Sequence, residues 1–286
     1  MPVTTHVTTE YGTLRRVAMR YASDDTPDLD GPDIHPVLAR QKATSTWAPY
    51  RPARVRAQQD ALITILRGHG TDVVILPDAP GCSTQHYPRD IGFVIDDVIF
   101  SARLNSAHRL PETNALTAAI PNMAQLAAGT IEGGDVMLHD GCVLVGLSEE
   151  TSPEGVDALR AALTQHRIDR EVVPVRFATS GIVHLDDHFN IVAAGTALIH
   201  RAAFPSDQAR WFDKHFDLID VTDQEALAVQ VNVLAIAPGV IVAAEGSDRI
   251  AGELATRGIQ VITVDYSEVT RIPGSLRCTT LPLLRT

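Results

Sequence analysis

Residues 231–264 read VNVLAIAPGVIVAAEGSDRIAGELATRGIQVITV. The apolar run Val231–Ala244 is broken by Pro238-Gly239, a turn dipeptide, so it reads as two buried strands folded into a hairpin. Arg249–Arg257 follows as a helix, with Gly258 placed to end it. Gln260–Val264 is then a β-branched strand. The stretch therefore spells hairpin, helix, strand.

The same cycle recurs outward from this stretch. Ile91–Phe100 reads as two short strands about Asp96-Asp97, and Asp135–Val145 as two about His139-Asp140-Gly141. Asn190–Leu198 turns at Ala194-Gly195. Helices are expected at Arg51–Arg67, where Val55, Leu62, Ile65 and Leu66 recur on one side, and at Pro153–Gln165, where a proline opens the first turn. Val17–Arg20, Thr71–Leu76 and Glu171–Phe177 read as further strands. Asp24–Pro36, rich in Pro, Asp and Gly, reads as a surface loop with the character of a lid. Recurrence of one supersecondary unit points to a modular α/β fold rather than one doubly wound sheet.

The chain has 286 residues, 45% hydrophobic and 21% charged, a composition that excludes disorder. Its formal net charge of −11 argues against nucleic acid as a partner and favours a cationic small molecule in a general way. The apolar stretch Val229–Ala244 is too short and too interrupted to span a bilayer, and the first ten residues lack the pattern of a signal peptide. Cys82, Cys142 and Cys278 are too few and too irregular for a disulfide framework, which suits a reducing, cytoplasmic setting. A homo-oligomer stays open.

Five polar elements lie at strand ends or beside glycines, where functional groups gather. Asp90, in Tyr87-Pro88-Arg89-Asp90, is either a turn aspartate or an acid at a strand mouth. Glu132-Gly133-Gly134-Asp135 is either a tight turn or a place where a ligand approaches a main chain with unusual backbone angles. In His184-Leu185-Asp186-Asp187-His188, His184 suits a general acid/base and Asp186 a cation anchor, both on one side of an extended segment. The rival is a zinc pair of His184 with His188, for which no matching ligands lie nearby. Cys278, between Gly274-Ser275 and Leu281–Leu284, is either an exposed thiol or a small core residue. Arg103 and Arg109 form a basic loop.

In this order, Arg-Asp, Glu-Gly-Gly-Asp, His-Leu-Asp and a late Cys resemble the guanidino-group modifying enzymes: arginine deiminases, dimethylarginine dimethylaminohydrolases and amidinotransferases. The resemblance runs from about Thr13 onward and is strongest over Val231–Pro282. It implies an α/β propeller (pentein) of five ββαβ-type modules with pseudo-fivefold symmetry, one catalytic domain over residues 1–286, and no metal or organic cofactor. By resemblance, Cys278 is the nucleophile, His184 the general acid/base and Glu132 the acid beside it. Asp90 and Asp186 would grip a guanidinium, and Arg109 would bind a substrate carboxylate. The implied reaction is hydrolysis of a guanidino or ureido C–N bond through a covalent thiouronium. Amidino transfer to an acceptor amine is the alternative, and a non-catalytic binding protein is a third reading. One position departs from the family: Ser148-Glu149-Glu150-Thr151-Ser152 carries Glu150 where the family commonly has a carboxylate-binding arginine. Glu150 would disfavour an α-carboxylate and leaves room for an amine-bearing or otherwise modified compound.

Overall fold

The computed structural model describes residues 4–26, 39 and 48–286. Residues 27–36 of the expected loop at Asp24–Pro36 lie outside these.

The chain opens with β1 (Leu14–Met19), α1 (Pro52–Gly68) and β2 (Asp72–Ile75), then β3 (Gly92–Ile95), β4 (Val98–Ser101) and α2 (Leu110–Ala119). Next come β5 (Val136–His139), β6 (Cys142–Gly146), α3 (Pro153–Gln165) and β7 (Glu171–Val175). They are followed by β8 (Phe189–Ala193), β9 (Thr196–Ile199), α4 (Ser206–His215) and β10 (Asp217–Asp220). A short α5 (Asp223–Leu227) leads to β11 (Leu234–Ala237), β12 (Val240–Ala244), α6 (Asp248–Thr256), β13 (Gln260–Val264) and β14 (Leu281–Arg285).

The strands form five small sheets, ordered β14-β1-β2, β3-β4, β5-β6-β7, β8-β9-β10 and β11-β12-β13. Each follows one rule. An antiparallel pair is joined through a helix to a third strand parallel to its second, as β5, β6 and β7 pair Leu144 with Met137 and with Val173. In the two-stranded sheet the third strand shrinks to a bridge between Phe100 and Ala124. The fold is the pseudo-fivefold α/β propeller.

Local chemistry sets these modules. Four hairpins turn on residues with positive φ: Asp96 (51°), Asp140 (45°), Gly195 (66°) and Gly239 (74°), the geometry that matches strand twist. Ser152 caps α3 by accepting from the Gly155 N–H, and Pro153 supplies a preset first turn. Gly258, at φ 73°, stands just past the end of α6.

The ring is closed by β14, which pairs antiparallel with β1, setting Val17 opposite Pro282. Around the axis the core is ionic. Arg277 binds the Glu10 carboxylate at 2.6 Å and donates to the Val136 carbonyl at 2.9 Å, while Arg285 donates to the Ala235 carbonyl at 2.9 Å. All three charged residues are buried.

Candidate active site

Asp90, Glu132, His184, Asn232 and Cys278 occupy one kind of position, the segment leading into the first strand of a module. Pseudo-fivefold symmetry turns these five lead-ins toward one another. They meet at a cavity of about 50 Å³ whose lining includes Asp90, Arg109, Glu132, Glu150, His184, Asp187 and Cys278.

His184 stands at its centre. Its Nε2 lies 3.1 Å from Glu132 Oε2, and its Nδ1 lies 3.6 Å from Asp90 Oδ1. Burial alone would lower its pKa. Asp90, the Glu132 hydrogen bond and Asp135 overcome that and hold the imidazole well above its usual range.

The glycines of the Glu-Gly-Gly-Asp motif correct an expectation. Neither has positive φ, and protein rather than ligand crowds them. A Cβ on Gly134 would lie 2.6 Å from His184 Cγ and Nδ1, and one on Gly133 would lie 2.1 Å from the Arg89 carbonyl oxygen. These residues are glycine so that the histidine can sit against the chain. Asp135 fastens the arrangement. It accepts from the Ser148 and Thr151 hydroxyls at 2.6 Å each and from the Leu185 N–H at 2.9 Å. The Thr151 hydroxyl in turn accepts from the Glu132 N–H at 3.2 Å. Burial raises the Asp135 pKa to about 7.

Cys278 is buried rather than exposed, with 4% of its surface accessible, and it faces the cavity. Asn232 holds it: its side-chain N–H donates to Sγ at 3.1 Å, and its carbonyl oxygen accepts from the Cys278 and Arg277 N–H groups at 3.1 and 3.0 Å. Burial, then Asp186, Asp187 and Asp90, push the thiol pKa well above its usual value. The nearby cations Arg277 and His184 do not bring it down. Arg277 is committed to Glu10, and acids outnumber cations around the sulfur.

Both Asp186 oxygens lie 3.9 Å from the sulfur, and Arg277 Nε lies 3.2 Å behind one of them. Asp186 is fully buried and sits in a 3₁₀ turn, Leu185–Asp187, so it does not share an extended segment with His184 as expected. That turn brings Asp187 to the cavity wall. The zinc pair is not formed, because His188 turns away to place its Nδ1 3.0 Å from His200 Nδ1. His184 instead groups with Asp90 and Glu132.

Arg109 is partly buried, its side chain 11% exposed, and committed to acids. It binds Asp90 at 2.9 Å and Glu112 at 2.9 Å, and lies 3.7 Å from Glu132. Arg103 lies outside the cavity and donates to the Gly129 and Leu126 carbonyls. Glu150 lines the cavity, 2% exposed. Asn232 and Asp187 escaped the sequence reading. Asn232 could have been flagged as an amide breaking an apolar run, while nothing local separates Asp187 from Asp186.

The family model of eukaryotic N,N dimethylarginine dimethylhydrolase matches residues 40–285. The chain belongs to this family of guanidino-group modifying enzymes. Within the family's reach, protein YkgA of Bacillus subtilis, itself uncharacterized, is 32% identical over 97% of this chain and 94% of its own. The N(G),N(G)-dimethylarginine dimethylaminohydrolase of Pseudomonas aeruginosa is 27% identical over 80% of this chain and 88% of its own. Among solved structures, the amidinotransferase SxtG of Microseira wollei superposes with TM-score 0.82 at 17% identity, covering 98% of this chain and 97% of that one. The propeller fold thus occurs in proteins whose names describe dimethylarginine hydrolysis and amidino transfer.

Proposed function

We propose that this protein is a cysteine-dependent hydrolase of a guanidino or ureido C–N bond, acting as one catalytic domain on a small molecule. One observation carries the reading. Among the described residues, every buried carboxylate oxygen without a hydrogen-bond partner belongs to Asp90, Glu150 or Asp187, all lining the cavity that holds Cys278 and His184. Unmet acceptors in a dry site cost stability unless a ligand supplies donors. A guanidinium is a flat cation with donors in a fixed fork, which suits such acceptors.

In the proposed reaction Asp90 and Asp187 hold the guanidinium flat beside Sγ, and Asp186, buried behind the sulfur, adds its negative charge to the cage. Its positive charge opposes the acids that keep the thiol protonated, so the thiol gives up its proton to solvent and the thiolate forms chiefly when substrate is present. Sulfur attacks the central carbon and a tetrahedral adduct forms. His184, protonated and braced by Glu132, gives a proton to the departing nitrogen. The C–N bond breaks, an amine or ammonia leaves, and a thiouronium remains on Cys278. His184, now neutral, takes a proton from water. The resulting hydroxide adds to the carbon, the C–S bond breaks, the hydroxyl proton passes to the departing sulfur, and a neutral ureido product leaves with the thiol restored. Asn232 positions the sulfur by its hydrogen bond.

The test is a screen of guanidino and ureido compounds for release of ammonia or amine, with Cys278→Ser as control. Loss of about a thousandfold or more in the variant supports covalent catalysis. Equal turnover by Cys278→Ser overturns it. The SxtG likeness favours testing transfer beside hydrolysis: if product forms only when an acceptor amine is added, the enzyme is an amidinotransferase.

A further inference from the structure

The acids gripping the guanidinium leave one carboxylate of the cavity without a task. Both oxygens of Glu150 are buried on the wall that also carries Ser106 and Arg109, and among the described residues neither has a well-formed hydrogen bond; the neighbouring Asn105 amide is directed at the Glu149 carbonyl at 3.2 Å. The neighbouring cation does not serve it. Arg109 aims its donors at Asp90 and Glu112. The backbone around Glu150 is fixed, since the Ser148 hydroxyl accepts from the Glu150 N–H at 3.1 Å and from the Thr151 N–H at 3.2 Å. The same hydroxyl donates to Asp135. Glu150 is therefore anchored to the residue that also fastens the His184 turn. A buried carboxylate held in place without a well-formed hydrogen bond is a group awaiting a donor.

We propose that Glu150 forms a second cation subsite, and that the substrate is a guanidino compound whose other end is an amine. This rests on the guanidino reading above and names its substrate class. A distal ammonium would supply up to three donors to the two free oxygens. A distal carboxylate would meet like charge in a low-dielectric wall, where repulsion is strong. Burial and the adjacent Glu132 hold the Glu150 pKa above the ordinary carboxylate range in the absence of ligand, and an arriving cation reverses that bias.

The test measures binding to Cys278→Ser, which cannot turn substrate over, by calorimetry. Three alkylguanidines of equal chain length are compared, ending in an amine, a methyl group or a carboxylate. The amine is expected to bind about ten- to a hundredfold more tightly than the methyl compound, the worth of a charge-assisted hydrogen bond. The carboxylate should bind weakest. Adding Glu150→Gln, which keeps the shape and removes the charge, should collapse the amine-over-methyl ratio to near one. A ratio is insensitive to general damage to the fold. If the methyl or carboxylate compound binds best, or the ratio survives Glu150→Gln, the subsite does not exist, whatever the turnover screen shows. If the amine ranks first while wild-type enzyme releases no amine or ammonia from any compound, the subsite stands and the hydrolase reading falls.

Discussion

Replacing Arg277 with methionine should unfold the protein from its axis. The side chain of Arg277 is buried, with NH1 2.6 Å from Glu10, NH2 2.9 Å from the Val136 carbonyl and Nε 3.2 Å from Asp186. Methionine fills a similar volume but leaves two carboxylates and one carbonyl unanswered. Breaking one buried pair by removing a partner costs roughly 3–5 kcal/mol, and an orphaned buried acceptor about 1–3 kcal/mol. These are not additive, since the carboxylates can take up protons, so the expected loss is about 4–6 kcal/mol. At roughly 2–4 °C per kcal/mol for a chain of this size, the melting temperature should fall by about 10–20 °C. The loss should depend on pH. Without Arg277 the folded-state pKa of Glu10 rises above its unfolded value, and that of Asp186, already held above it by burial, rises further. Stability is then greatest at low pH, where both acids are neutral in either state, and falls as pH rises through the folded values. Thermal melts at pH 5 and pH 8 read this directly, and Glu10→Gln added to Arg277→Met should recover part of the loss at pH 8. A single variant melting within about 2 °C of the parent at pH 8, or a double variant worse than the single, would refute the reasoning.

Three further outcomes follow from the same structure. Gly134→Ala should push His184 off Glu132, costing about a hundredfold in kcat with a smaller stability loss of about 1–3 kcal/mol; unchanged turnover of any accepted substrate would show that the ring has room. An alkylating reagent carrying an amidinium should label Cys278 at least about tenfold faster than neutral iodoacetamide, with Cys82 and Cys142 as internal references in a mass-spectrometric time course, because a cation in the acid cage favours the thiolate; equal rates would mean the thiol is already ionised. His86 is buried, its ring nitrogens unpartnered among the described residues, and burial lowers its pKa to about 3. The unfolded chain therefore takes up a proton below about 6.5 that the folded state refuses, and stability falls with pH between about 6.5 and 3 by at most about 1.4 kcal/mol per unit. His86→Phe should flatten that slope in chemical denaturation, and an unaltered slope would place the acid sensitivity elsewhere.

Much of the fold was legible because its turns are local. Asp96, Asp140, Gly195 and Gly239 announce hairpins through backbone preference alone. Ser152-Pro153 marks the start of α3 just as cleanly. Elements without such punctuation were missed. The sequence SDQARWFDKH of α4 buries only Gln208 and Phe212, too thin an apolar face for periodicity to show. Strand β14 contains Pro282, which argues against a strand; it forms through tertiary pairing alone, with β1 on one side in an irregular register and with a bridge to His6 on the other. The site divides the same way. The types at Cys278, His184, Glu132 and Asp90 could be picked out along the chain. That Asp187 rather than Asp186 would reach the cavity wall depends on a one-turn 3₁₀ helix, and that Asn232 would hold the sulfur depends on packing 46 residues away in sequence.

The placement of the thiol just ahead of the strand that seals the ring has a consequence for biosynthesis. While the ribosome is still making residues before 278, the emerging polypeptide already holds Asp90, Glu132 and His184 but has neither sulfur nor seal. Reactive capacity and ring closure arrive within a few peptide bonds of each other. A product stopped early, or clipped ahead of that segment, would carry the acids and the imidazole yet be chemically inert and conspicuously open to quality control.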